Sequence, residues 1–119
     1  MCRALLIFLI SALLAGPLLS ADEPRIDSSD ALNYMKQNVT VSGLVTNVFV
    51  SKHGNAFSNF GEKYPNQTLT GWIPAGTPLV SDPLLQELQG KTVKITGVIE
   101  LYHGKPEIKI TSKDQIVSE

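Results

Sequence analysis

Two short turn sequences carry both histidines of the 119-residue chain: Ser51-Lys52-His53-Gly54-Asn55 and Tyr102-His103-Gly104-Lys105. Imidazole is the side chain that shuttles protons or ligates metals near neutral pH, so these turns pose the first chemical question. As metal ligands they need a third partner, and Glu62, Glu100 and Glu107 are the carboxylates that could supply it. No His-x-His or His-x-x-x-His spacing and no cysteine pair supports such a site. As catalytic bases they need a nucleophile or a paired carboxylate in fixed geometry, and the sequence signals neither. The reading is therefore of no enzyme, no metal and no cofactor. The histidines are solvated turn residues or a pH-sensitive part of a binding edge.

A second group of residues suits binding rather than bond-making. Phe57, Phe60, Tyr64 and Trp72 fall close together, with Lys63 among them. Aromatic faces stack on bases or sugars, and lysines meet phosphates. With Lys52, His53, Tyr102, His103 and Lys105 they form the candidate ligand-binding set. Phe57 and Phe60 have opposite strand parity, so one of the two belongs to the core. Trp72 shares a face with Thr68 and Thr70 and is the best candidate for an exposed platform. The run from Tyr64 to Thr68 either shapes a groove or locks the connection between two strands.

Charge limits what such a platform could hold. The chain carries 10 Lys and Arg against 11 Asp and Glu, a net charge of −1. The first 21 residues have the layout of a secretory signal peptide. Arg3 precedes an apolar run from Ala4 to Leu14, then Gly16-Pro17, and small Ser20 and Ala21 before the first acids. That run is short for a span of about 20 residues. Export with cleavage after Ser20 or Ala21, to a periplasmic or secreted location and with no membrane attachment afterwards, is the expectation. Cleavage removes Arg3 and the single cysteine, Cys2, leaving nine Lys and Arg against eleven Asp and Glu and a net charge of −2. Nucleic-acid binders usually carry a basic field, so any such binding here rests on a local patch.

The elements that position these residues are strands. Residues 22–37 read as a linker followed by a short helix over Asp30–Gln37, with Asp27, Ser28 or Ser29 as its cap. Val39–Val50 is a long β-rich run with Gly43 in its middle, and Val39–Val45 (VTVSGLV) is echoed by Val93–Ile99 (VKITGVI). A glycine inside a strand marks a bulge or a sharp bend, where one strand can pass from one sheet to another. Further strands are expected over Ala56–Phe60, Thr68–Ile73, Lys91–Tyr102 and Pro106–Thr111, with a helix over Pro83–Gln89 stopped by Gly90. Val93, Ile95, Ile99, Leu101, Ile108 and Ile110 are the inward positions of the last two. Ile116 and Val117 in the tail could seal one end.

Three strands, a helix and two more strands is the order of the OB-fold, a five-stranded Greek-key β-barrel with its helix between strands three and four. The fold expected for residues 38–119 is thus all-β with one or two short helices. Phe57–Thr68 (FSNFGEKYPNQT), Gly90–Gly97 (GKTVKITG) and Tyr102–Ile108 (YHGKPEI) resemble bacterial exported OB-fold domains of the nucleic-acid-binding type. The resemblance implies a ligand laid across the outer face of strands two and three, flanked by the two histidine-bearing loops. It also implies that the first ligand to expect is single-stranded nucleic acid or a nucleotide-like molecule, bound weakly. The alternative is a periplasmic OB-fold module that binds an envelope protein, a peptide, a sugar or another small ligand, for example in envelope stress.

Overall fold

The computed structural model describes residues 25–119, and the expected leader lies outside them. The strands are β1 (Arg25–Asp27), β2 (Asn38–Val50), β3 (Ala56–Phe60), β4 (Leu69–Ile73), β5 (Thr92–Tyr102), β6 (Lys105–Lys109) and β7 (Ile116–Ser118). One short helix, α1 (Pro83–Glu87), lies between β4 and β5. Five of the strands close into a ring, β2-β3-β4-β6-β5 and back to β2, with every contact antiparallel except the parallel β4–β6 pair. This is the OB-fold barrel.

Closure depends on two long strands that each serve both halves. β2 pairs with β5 through Leu44 and with β3 from Val45 onward. β5 pairs with β2 through Val98 and with β6 from Ile99 onward. In both, the exchange of partners comes one residue after the glycine of the echoed motif. The backbones at these corners have no room for a side chain. A Cβ at Gly43 would lie 2.8 Å from Ser28 Oγ, and one at Gly97 would lie 2.6 Å from Ile108 Cγ2. The internal echo is thus the pair of barrel corners written twice.

Inside the ring, Val39, Val41, Val45, Val48, Phe60, Leu69, Ile73, Val93, Ile95, Ile99, Ile108 and Ile110 pack into one buried cluster. Leu79, Leu85 and Leu88 extend it from the α1 segment, and Ala31 from the 3-10 helix Ser28–Tyr34. Asp82 caps α1 by accepting the Leu84 amide, with Pro83 at the first helical position. Gln89 then reaches back, its Oε1 accepting the Val48 amide of β2 at 2.9 Å. No helix among the described residues is long and apolar enough to cross a membrane.

β2 is not a plain alternating strand. Val45 pairs with Phe60 but Asn47 with Asn59, so Thr46 is an extra residue, a β-bulge. Its hydroxyl lies 3.0 Å from the carbonyls of both Asn59 and Glu62, which holds the bulge in place. Before it the odd-numbered residues Val39, Val41, Gly43 and Val45 are buried; after it Val48 is buried and Phe49 faces out. One residue of slip exchanges the two faces of the strand.

Three sequence expectations need correction. Arg25–Asp27, read as linker, is a strand lying parallel on Thr40–Ser42 of β2, with Ile26 buried. The helix expected over Asp30–Gln37 is the 3-10 helix Ser28–Tyr34, capped by Asp27, which accepts from the Ser29 amide and hydroxyl. Leu101 is exposed rather than inward, because beyond Ile99 β5 leaves the core to form the hairpin with β6. The tail behaves differently at its two apolar residues: Ile116 packs on the core and Val117 stays exposed.

Candidate functional site

One groove of about 470 Å³ opens on the outer face of β3, β4 and β6. Its shape follows from register. Phe49 of β2 is paired with Phe57 of β3, and Asn47 with Asn59. Asn59 faces Thr70 of β4, and Thr70 faces Glu107 of β6. Outward residues at alternate positions thus line up across adjacent strands about 4.8 Å apart. They give the groove an aromatic shelf and, beside it, a polar floor.

The shelf is Phe49 stacked on Phe57, centroids 5.1 Å apart at 25°. Opposite stand Tyr102 and His103, whose rings stack at 4.1 Å and 29°. That second pair is placed by a two-residue hairpin. His103 and Gly104 both have positive φ, 50° and 79°, between the paired residues Tyr102 and Lys105. Positive φ at both central residues defines the type I′ turn that suits a twisted hairpin. Tyr64 and Pro65, from the β3–β4 connection, form a third wall, and Tyr64 is 71% exposed.

The floor is a relay of uncharged side chains. Gln67 Nε2 donates to Thr70 Oγ1 at 3.2 Å, Thr70 Oγ1 to Asn59 Oδ1 at 3.2 Å, and Asn59 Nδ2 to Asn47 Oδ1 at 2.9 Å. Gln67 is only 7% exposed, yet its Oε1 has no protein partner. A buried carbonyl oxygen without a donor is uncommon. Lys105, Pro106 and Glu107 complete the wall. Glu107 makes no ion pair or hydrogen bond among the described residues. Burial pushes its carboxyl above the ordinary glutamate value, and the nearby His103 charge acts in the opposite direction. Its cross-strand neighbour Glu100 is engaged elsewhere, accepting from Lys36 Nζ at 2.6 Å.

The ten residues singled out by sequence divide accordingly. Phe57, Tyr64, Tyr102, His103 and Lys105 line the groove. Phe60 does not: it is fully buried in the barrel, so it is the core member of the Phe57/Phe60 pair. Trp72 shares the outer face, as the register partner of Phe57, but lies beside the groove with the Lys109 ammonium 5.4 Å over its ring. Lys63 is exposed on the β3–β4 connection and does not line the cavity.

Lys52 and His53 are exposed at the β2–β3 turn, past the Phe57 end of the sheet, whereas His103 lies past the Thr68 end. The two histidines are therefore at opposite ends of the face and do not come together. Among the described residues, no three His, Cys, Asp or Glu side chains assemble as metal ligands.

Phe49, Asn59 and Pro106 escaped the sequence reading, while Gln67, Thr70 and Glu107 were considered there only in other roles, as part of a loop run, as a strand-face neighbour and as a possible metal ligand. Strict alternation from Val39 puts Phe49 inside, and only the Thr46 bulge turns it out. Asn59, at the alternate position from Phe57, was the one legible signal, since a polar residue among strand aromatics points outward.

The ring order defines an OB-fold module, with an aromatic groove across its middle strands. No family model and no curated protein matches the chain. Solved structures do share the fold. A Leishmania major Friedlin chain assigned as an aspartyl-tRNA synthetase aligns with TM-score 0.54 and 12% identity, over 90% of this chain and 23% of that one. Aspartyl tRNA synthetase from Entamoeba histolytica aligns with TM-score 0.51 and 14% identity, over 93% and 28%. OBody AM1L10, solved bound to hen egg-white lysozyme, aligns with TM-score 0.52 and 19% identity, over 73% and 83%. The chain thus spans about a quarter of each synthetase it resembles. At these identities the likeness is one of fold.

Proposed function

We propose that this chain is an exported, non-enzymatic OB-fold module that binds single-stranded nucleic acid or a nucleotide through its outer-face groove. The observation that carries the reading is the pair of aromatic stacks, Phe49–Phe57 and Tyr102–His103, on two sides of one cavity. Flat rings between them gain stacking energy of about 1–3 kcal/mol per base, whatever the sequence. Two of the structural neighbours are tRNA synthetases by name, which agrees with this direction. Export rests on the leader-like first 21 residues.

Charge sets the scale. Lys105 is the lysine that lines the groove, in a chain of net charge −1. With one or two phosphates neutralised, log affinity falls with log salt at a slope of about −0.7 to −1.4, since each single-strand contact contributes roughly −0.7. The module grips one or two nucleotides and does not coat a strand.

Titration with a fluorescent single-stranded oligonucleotide, at low and at physiological salt, tests this. The expected result is saturable binding with that shallow slope, weakened in Phe57→Ala. Absence of binding even at low salt refutes it. A second reading has one specific observation behind it. Phe49, Tyr64 and Tyr102, all exposed large side chains, line the groove, a composition suited to a protein partner. A neighbour of the same fold does hold a protein. Failure of the oligonucleotide titration would move the assignment to that class.

A further inference from the structure

The groove is selective in what it leaves unpaired. Two of its acceptors have no partner among the described residues, the Glu107 carboxylate and the buried carbonyl oxygen of Gln67. Both adjoin Thr70: Glu107 is its register partner across the β4–β6 pair, and Thr70 accepts from Gln67 Nε2. A carboxylate accepts only, through two oxygens in one plane. The ligand edge that satisfies it offers two adjacent, coplanar donors. At the rim Lys105, two residues from Glu107 on the same strand face, also makes no ion pair among the described residues. Lys105 at this rim disfavours a second cation such as a guanidinium beside Glu107 and attracts a phosphate. The occupant is thus planar, donor-edged and joined to an anion, and a volume of about 470 Å³ accommodates a nucleotide.

From this geometry we infer that the groove selects guanine, with Glu107 accepting from its N1–H and exocyclic N2 amine while the ring lies between the aromatic stacks and Lys105 meets the neighbouring phosphate. The inference rests on the nucleic-acid reading above and narrows it. Of the four bases only guanine presents a ring N–H beside an exocyclic amine. Adenine and cytosine pair an amine with a ring acceptor, which would face the carboxylate lone pairs. Thymine has one ring N–H between two carbonyl oxygens. A mismatch leaves the Glu107 carboxylate unpaired, and bidentate base contacts of this kind are worth about 1–3 kcal/mol of discrimination.

The test uses the whole protein and thymidine pentamers carrying guanine, inosine, adenine, cytosine or thymine at the centre, titrated by fluorescence anisotropy. Guanine is expected to bind roughly tenfold to a hundredfold tighter than adenine, cytosine or thymine. Inosine lacks the N2 amine and is expected about tenfold weaker than guanine, the loss of one hydrogen bond to a charged group. In Glu107→Gln the guanine preference collapses while the residual stacking affinity, common to all pentamers, persists. That residual binding also shows the variant to be folded.

Equal affinity for all five pentamers overturns the guanine assignment and leaves the nucleic-acid reading standing. No binding of any pentamer overturns both. Displacement of the guanine pentamer by an equal concentration of an arginine-containing peptide reassigns the pocket to a guanidinium and overturns the inference.

Discussion

Truncating Phe49 separates two accounts of this barrel that differ by one residue of register. If β2 alternated strictly from Val39, Phe49 would be a core side chain. Phe49→Ala would then cost about 3–5 kcal/mol, transfer and cavity together. In the structure Thr46 is a bulge and Phe49 is 42% exposed, resting on Phe57 in an open groove. Full burial of a phenylalanine is worth about 1.5–3 kcal/mol, so a little over half of that is roughly 0.9–1.7 kcal/mol. Solvent enters the space left behind, so no cavity term is added.

The aromatic pair itself contributes about 0.5–1.5 kcal/mol, in part already counted in that area. Phe60→Ala provides the comparator. Phe60 is fully buried, and its loss should cost about 3–5 kcal/mol. Urea denaturation of the two variants reads these costs directly. The same Phe49→Ala protein should lose oligonucleotide affinity by about tenfold, since it removes half of one stacking wall. A Phe49→Ala destabilisation equal to that of Phe60→Ala, with affinity unchanged, would refute both the bulge argument and the site.

Three further outcomes follow from the geometry. Gly97→Ala should destabilise by about 1–3 kcal/mol in chemical denaturation, because its Cβ would sit 2.6 Å from the buried Ile108 Cγ2 in a closed ring. The cost should shrink in an Ile108→Ala background, where that methyl is gone. The acid side of the stability profile should reflect Asp27 and Asp82. Both are held below the ordinary carboxylate value, Asp27 by the Ser29 hydroxyl and amide and Asp82 by the Leu84 amide. Their contribution is complete above the ordinary value and drains as pH falls through the lowered ones; Asp82→Asn should flatten that part of a thermal-melt series.

Glu107 runs the other way. With its folded value raised by burial, the stability it contributes is present below the ordinary glutamate value and is lost as pH rises through the raised one, so Glu107→Gln should be at least as stable as the parent at neutral pH. The groups around it are Glu100 with its Lys36 partner, His103, Lys105, Tyr64 and Tyr102. Guanine binding followed as pH is lowered should fall as Glu107 protonates, beginning above the ordinary glutamate value.

Most of the barrel was legible before any coordinates. Alternating valines and isoleucines at Val39, Val41, Val93, Ile95, Ile108 and Ile110 name the core, because period-2 burial is a local property of an extended chain. The echoed glycines Gly43 and Gly97 announce the corners, since a closed ring needs two strands that bend and the bend excludes a side chain. His103-Gly104 names a hairpin. Asp82-Pro83 names a helix start. Half of the candidate set, Phe57, Tyr64, Tyr102, His103 and Lys105, was likewise found from residue type and loop position.

What remained was decided only by the folded ring, and the physical reasons are few. A bulge at Thr46 depends on carbonyls from Asn59 and Glu62, residues more than ten positions away, and it alone carries Phe49 to the groove. The parallel β4–β6 contact sets Glu107 beside Thr70 and so brings a carboxylate to the end of the polar floor, a pairing that no spacing along the chain encodes. The separation of His53 from His103 is of the same kind, since it is fixed by which strand ends meet. Local sequence determined which faces are apolar and where the chain turns. Strand register, set when the ring closes, determined which polar groups share the groove.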